Sequence, residues 1–381
     1  MIPRSLLEEP CAPALFRIVV EGLADRFEPF LCDTYVRLFA QALCYMDSAM
    51  DPMSVIARYE RVRRPRPIAV KPQHVFVLSR VTLGADVAVT SVMLAAVKRR
   101  YPHAEVVFVG PRKNYDLFAA DRRIHHALLD YPRGSVRQRL AAGAELKQIL
   151  DRPASIVIDP DSRLTQLGLL PVCAEENYFF FESRAVAPGT DRNLSDLAAD
   201  WAREIVGVAG AKPFVALGPR VRKKPVIAVS LGVGENPAKR IPDPFEAELL
   251  ALLGTTGLRL CVDKGAGGEE AERVERAIAR SGVESNTWRG SFAGFASIIE
   301  ASRLYVGYDS AGQHVAAACG VPLISVFAGF PTARFCSRWG PVGPGRTVVR
   351  ADPPDPQVAL QSVREALDQA LGSEMSRNQQ A

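Results

Sequence analysis

Three short stretches of this 381-residue chain set charged or polar residues between an apolar run and a helical one. In "YVGYDSAGQHVAAACGVPLISVF", Asp309 and Ser310 end an apolar run, Ala311 and Gly312 carry the turn, and His314 lies one helical turn into an alanine-rich segment. The amides at such a helix start suit phosphate, and a histidine there can donate to a phosphate oxygen or to ribose, or simply be satisfied within the fold. In "SLGVGENPAKRIPDPFEAEL", Gly232 and Gly234 let backbone amides approach a ligand, Lys239 and Arg240 bring positive charge, and Pro242 and Pro244 lead into the next helix. The spacing is not that of a P-loop, so Lys239 reads either as the partner of a departing diphosphate or as a solvated surface lysine. In "LSRVTLGADVAVTSV", Arg80 ends an apolar run, Gly84 permits a tight turn, Ala85 follows, and Asp86 stands where a helix begins. Asp86 can cap that helix, or it can take a proton from an incoming hydroxyl as a general base. Together the stretches suit attack by a hydroxyl with loss of a diphosphate. Dinucleotide binding is poorly supported, because G-x-G-x-x-G is missing and "VVFVG" ends in Gly110 with no acid after it.

The elements that must position these residues alternate along the chain. From His74 the pattern reads strand "HVFVLSR", helix "DVAVTSVMLAAVKRRY", strand "EVVFVG", helix near "NYDLFAAD", helix "RQRLAAGAELKQIL" and strand "SIVID". After the basic joint "KPFVALGPRVRKKP" a second series follows: "VIAVSLG", "PFEAELLALLG", "LRLCVD", "EEAERVERAIARSG", "FAGFASIIEAS", "LYVGY", the helix after Ser310, and "PLISVF". Near-continuous apolar strands between amphipathic helices imply parallel sheets covered on both faces, with ligands at their carboxyl ends. The expected organisation is a helical extension and Pro/Arg linker over 1–72, a Rossmann-like domain over 73–212, a second over 213–371, and a polar tail over 372–381. Within the extension, residues 13–47 carry apolar side chains at helical spacing, from Leu15 to Phe39, and suit one or two helices. Those helices pack on their own domain, or serve as an oligomerisation or membrane-surface element. Pro65, Pro67 and Pro72 exclude a helix in "RVRRPRPIAVKP", whose arginines read as a solvated face.

Composition bounds the function classes. A formal charge of +5 is too small to argue for nucleic acid and fits a protein that handles phosphates or one that visits an anionic membrane surface. Seven cysteines without a C-x-x-C pair support neither zinc nor a disulfide framework, and His125-His126 lacks ligands at metal spacing, so no metal and no cofactor is expected. No apolar run reaches about 18 residues, and acidic residues interrupt the start, which points to the cytoplasm. After the strand "SIVID", Asp159, Asp161 and Arg163 suit either a local cap and ion pair or the rim of an acceptor site. "ENYFFFESR", with Tyr178 and three phenylalanines, suits a buried strand or an aromatic wall for a sugar.

Arg80, Gly84-Ala85-Asp86-Val87, "AKRIP", "DSAGQHVAAACGVPLISVF" and "RWGPVGP" come in the order and spacing seen in glycosyltransferase family 9, the ADP-heptose:lipopolysaccharide heptosyltransferases. The chain resembles that family over roughly residues 74 to 350, with Ala85 and Ala311 where the family has glycine. The resemblance implies an α/β fold of GT-B architecture, with two Rossmann-like domains, and inverting, metal-independent transfer of a heptose-like sugar. The donor would be an ADP-linked or similar nucleotide sugar, and the acceptor a lipopolysaccharide or other surface glycan. By position, Asp86 would be the base and Lys239 the partner of the donor phosphates, with Asp309, Ser310, Gly312 and His314 lining the nucleotide site. Arg80, Gly84, Ala85, Gly232, Gly234, Arg240 and Ala311 complete the candidate set. A lipid-linked acceptor would bring the protein to the inner membrane surface. The same chemistry on a soluble acceptor, or a non-catalytic sugar-nucleotide-binding scaffold, are the alternatives.

Overall fold

The computed structural model describes residues 15–47, 49–219, 224–234, 236–265 and 267–378. Part of the expected basic joint, 220–223, and the end of the expected tail therefore lie outside the described residues. The chain divides into two units, one running to Pro213 and taking in Pro331–Arg338, the other holding Phe214–Phe330 and the chain from Trp339 on.

In the first unit β1 (His74–Leu78), β2 (Glu105–Gly110), β3 (Ile124–Leu128), β4 (Ser155–Asp159) and β5 (Tyr178–Phe180) form one sheet in the order β3-β2-β1-β4-β5. All its pairs are parallel, with Val77 opposite Phe108 on one side and Ile158 on the other. Leu78, Val109, Val157 and Phe180 share a core with Leu146 and Leu150 of the helix Val136–Leu150. The strand order reverses between β1 and β4, which puts the first unit's natural ligand position beyond their carboxyl ends.

The second unit repeats the plan with β6 (Val226–Ser230), β7 (Arg259–Asp263), β8 (Ser285–Trp288), β9 (Leu304–Tyr308), β10 (Leu323–Ala328) and β11 (Arg346–Ala351). Their order is β11-β10-β9-β6-β7-β8, again wholly parallel. Here the order reverses between β6 and β9. Apolar strands such as Leu304–Tyr308 are buried along their whole length because helices cover both faces of the sheet.

The N-terminal helices belong to the first unit's core. Tyr35, Val36, Phe39 and Leu43 of the helix Pro29–Met46 are buried in the same cluster as Leu78 and Phe180. Tyr35 Oη donates to the Gln166 carbonyl at 3.1 Å, and Arg163 pairs with Glu21 at 2.6 Å. A further helix, Pro52–Val62, was not legible as part of the 13–47 pattern, although Asp51 accepts from Ser54 N at 2.8 Å as its cap. The linker arginines are not simply a solvated face. Arg66 donates to the Glu176 and Tyr178 carbonyls at 3.1 and 3.0 Å and lies over the Phe179 ring, while Arg63 meets Asp33 at 2.9 Å. Ile68 N also donates to the Ile205 carbonyl at 2.9 Å, so the proline-rich run is stitched to the helical turn Ala202–Val206.

Candidate functional site

At the carboxyl edge of the first sheet, β1 runs into Ser79 and Arg80, and the chain then turns through Val81 with a φ of 72°. The left-handed residue of this turn is therefore a valine, whereas Gly84 lies inside the short helical turn Leu83–Ala85. A β-branched residue rarely takes that conformation, and Ser79 Oγ holds it by accepting from Val81 N at 2.8 Å. Asp86 follows, fully buried. Its Oδ2 accepts from Ser79 Oγ and Asn114 Nδ2, both at 2.6 Å, and its Oδ1 from Arg80 N at 2.7 Å and Thr90 Oγ1 at 2.6 Å. Burial pushes its carboxyl above the ordinary value, and the four donors pull it back down.

Beyond β4, Asp161 is also left-handed, with a φ of 71°. It accepts from Ser183 Oγ at 2.6 Å and from Arg184 at 2.5 Å, and Arg80 stands 3.7 Å away. Arg80 itself is buried, bonded to the Pro160 carbonyl and to Ser183 Oγ, and burial pushes its guanidinium down to about 10. Asp159 caps the local turn through Ser162 N at 2.6 Å and accepts from Thr165 and Tyr178, both at 2.5 Å. Tyr178 and the three following phenylalanines are all buried, so they form packed sheet and not an open aromatic wall.

Nearby Glu182 accepts from the Tyr59 hydroxyl and lies 3.6 Å from Arg63, tying the helix Pro52–Val62 to the end of β5. Burial pushes its carboxyl up to about 7, against the lowering effects of Tyr59 and Arg63. The folded value lies above the unfolded one of 4.5, so the resulting stability is full below pH 4.5 and is lost as the pH rises through about 7. Glu182→Gln should therefore lose less stability than wild type between about pH 5 and about pH 8, by on the order of 2 kcal/mol in urea titrations. Parallel pH dependences in the two proteins would sink this assignment.

In the second unit, the Pro237–Lys239 turn is capped by Asn236, whose Oδ1 accepts from Ala238 N at 3.1 Å. Lys239 Nζ meets Asp309 Oδ2 at 2.6 Å, so residues 70 positions apart converge beyond the β6/β9 reversal. Asp309 and Ser310 lead from β9 into the helix Ala311–Ala318, and Ser310 makes no side-chain cap bond to its first turn. Gly312 is needed for packing: a Cβ there would stand 2.3 Å from Tyr305 Oη. His314 is buried, and burial pushes it down to about 4, with Asp309 opposing and Lys239 adding to the effect. It is therefore neutral near pH 7. Gly234 is left-handed at φ 63°, and the missing side chain of Gly232 leaves room for the Glu270 carboxylate, 3.1 Å from where a Cβ would be. Arg240 is drawn elsewhere, to Glu246 at 3.1 Å, a carboxylate it shares with Arg273.

The second unit thus brings together Lys239, Asp309, Ser310, Ala311 and His314, and the first brings together Arg80, Ala85 and Asp86. Sequence reasoning missed Gln313, Glu270, Gly329 and Asp263, the last an acid ending the second strand of this half. Asp263 carried the available signal, since an acid at that strand end is where doubly wound folds hold a ribose hydroxyl. Among the described residues, no cluster of three or more His, Cys, Asp and Glu is arranged to hold a metal ion.

Two doubly wound parallel sheets, each with polar turns at its carboxyl edge, give the chain the GT-B architecture. Residues 191–367 match the model of glycosyltransferase family 9 (heptosyltransferase), and both Lys239 and Asp309 lie inside that matched segment. A family 9 glycosyl transferase from Veillonella parvula is 15% identical, with a TM-score of 0.60 over 79% of this chain and 97% of its own. The E. coli heptosyltransferase WaaC with ADP is 16% identical, with a TM-score of 0.58 over 78% and 99%. E. coli ADP-heptose lps heptosyltransferase II is 17% identical, with a TM-score of 0.54 over 79% and 99%. No curated protein sequence matches the chain.

Proposed function

We propose that the protein is an inverting, metal-independent glycosyltransferase that moves a heptose-like sugar from an ADP-linked donor to a hydroxyl of a lipopolysaccharide or other bacterial surface glycan. The observation that carries this reading is the Lys239–Asp309 pair beside the start of the Ala311–Ala318 helix, inside the segment that matches family 9. The donor diphosphate would lie against the helix amides and draw on the Lys239 ammonium. Neutral His314 adds no positive charge at pH 7 and serves as a hydrogen-bonding wall. Glu270 and Asp263 are near enough to the β6 and β7 ends to suit ribose hydroxyls.

In the transfer step the bond between the anomeric carbon and the diphosphate oxygen breaks, and the acceptor oxygen bonds to that carbon from the opposite face. The acceptor's proton passes to a base, and the nucleoside diphosphate departs with the bonding pair, its growing charge met by Lys239. Asp86 is the base the family resemblance implies. For it to act, one of its four present donors must give way to the acceptor hydroxyl. Use of a lipid-linked acceptor would place the protein at a membrane surface; among the described residues no helix is long and apolar enough to cross one.

Thermal unfolding with ADP, GDP, UDP and CDP tests the donor site. One of these should raise the midpoint of the wild type, and Lys239→Ala should weaken that binding about 10- to 100-fold, as expected for loss of a charge-assisted contact. No response to any of the four diphosphates would overturn the donor reading.

A further inference from the structure

Gln313 is fully buried and not surface-facing, although it sits only three residues into the helix Ala311–Ala318. Its Nε2 donates to Asp309 Oδ1 at 2.6 Å and to the Trp339 carbonyl at 3.3 Å. Its Oε1 accepts from Ser325 Oγ, on β10, at 2.5 Å. Two acceptors on one side and a hydroxyl on the other fix which way the amide points. Asp309 therefore has one oxygen bound by Gln313 and turns the other to Lys239 at 2.6 Å. The chain Ser325, Gln313, Asp309, Lys239 links the middle of a buried strand to the ammonium at the site.

We propose that Gln313 is a positioning residue for donor binding: it occupies one oxygen of Asp309 so that the carboxylate meets Lys239 through the other alone. This rests on the donor reading above. A carboxylate that meets the ammonium through a single oxygen holds it less tightly than one that engages it through both, so a diphosphate can compete for its charge. Released from Gln313, Asp309 would rotate to engage Lys239 with both oxygens and compete with the diphosphate for its charge.

The titratable groups facing Gln313 are Asp309 from the end of β9, Lys239 from the Pro237–Lys239 turn and His314 from its own helix; β10 offers Ser325, and Trp339 offers only its carbonyl. Gln313→Glu puts a second carboxyl against Asp309. Two carboxyls at that distance share a proton, and while they do the glutamic acid can still donate to Asp309 as the amide does. As the pH rises and the shared proton leaves, the site gains a second negative charge and Lys239 is held more tightly.

The test is ADP affinity, with GDP, UDP and CDP alongside, for wild type, Gln313→Ala and Gln313→Glu across about pH 5.5 to about pH 8.5, each expressed as a ratio to wild type so that titration of the diphosphate cancels. Gln313→Ala should bind about tenfold more weakly at every pH. Gln313→Glu should bind within about twofold of wild type at the acid end and at least about tenfold more weakly at the alkaline end. A merely structural glutamine predicts no such pH-dependent ratio. A flat ratio for Gln313→Glu, whatever Gln313→Ala does, overturns the proposal while leaving the donor site standing. Wild type that binds no diphosphate overturns both.

Discussion

Asp86→Ala is expected to destabilise the first unit by about 4 to 5 kcal/mol, and to do so whether or not Asp86 acts as a base. The carboxylate is the common acceptor of Ser79 Oγ, Arg80 N, Thr90 Oγ1 and Asn114 Nδ2, all within 2.7 Å and all buried. Alanine leaves four buried donors without their acceptor, and each costs roughly 1 kcal/mol or more. The loss also releases Ser79, which holds Val81 in its left-handed conformation. Loss of transfer in this variant would therefore say little about proton abstraction. Amide exchange over residues 74–115 separates the two effects: faster exchange than wild type is the expected result, and wild-type protection in an inactive variant would instead favour a purely chemical role. Asp86→Asn should behave similarly, because its NH2 group would face donors where an acceptor is needed.

The second large effect is expected at Gly329, where β10 gives way to the loop after Ala328. This residue has a φ of 58°, and a Cβ there would stand 2.0 Å from the Ala238 carbonyl oxygen. Both groups are backbone, so no side-chain rotation relieves the clash, and alanine must displace the turn whose last residue is Lys239. Gly329→Ala should therefore weaken nucleoside diphosphate binding at least about tenfold while β6 to β11 remain protected in amide exchange. Calorimetric titration of the two proteins checks it. Wild-type affinity in Gly329→Ala would mean that the ammonium reaches its ligand from more than one position of the turn, and that the close approach of Gly329 to Ala238 matters only for packing.

The two sheets were legible because parallel strands buried on both faces must be apolar almost throughout, as in "HVFVL" and "LYVGY". The strands that escaped notice are outer ones that lack this constraint. β3 contains two histidines and β8 reads "SNTW", and each pairs along only one side. The C-terminal helix Pro356–Asn378 and β11 also went unread, β11 because arginines stand at both its start and its interior. The N-terminal helices could be read from their spacing, but spacing does not say what an apolar face packs against. Their partners turned out to be Gln166, Arg163 and the core around Phe180, more than a hundred residues away.

By itself, then, the sequence determined the repeating strand and helix pattern, the turns where anions can be met, and the likeness to family 9, since each depends on residues close together in the chain. The tertiary structure alone decided which of the chosen residues share a site. It joined Lys239 to Asp309 and drew Arg240 away to Glu246, although the two basic residues are adjacent. It also revealed Gln313 and Gly329, whose importance lies in contacts with Asp309, Ser325 and Ala238 that no local pattern encodes. The physical reason is the same throughout: a side chain's type sets what chemistry it can do, but its partners and its burial, which set whether it does it, come from segments brought together only when the sheet forms.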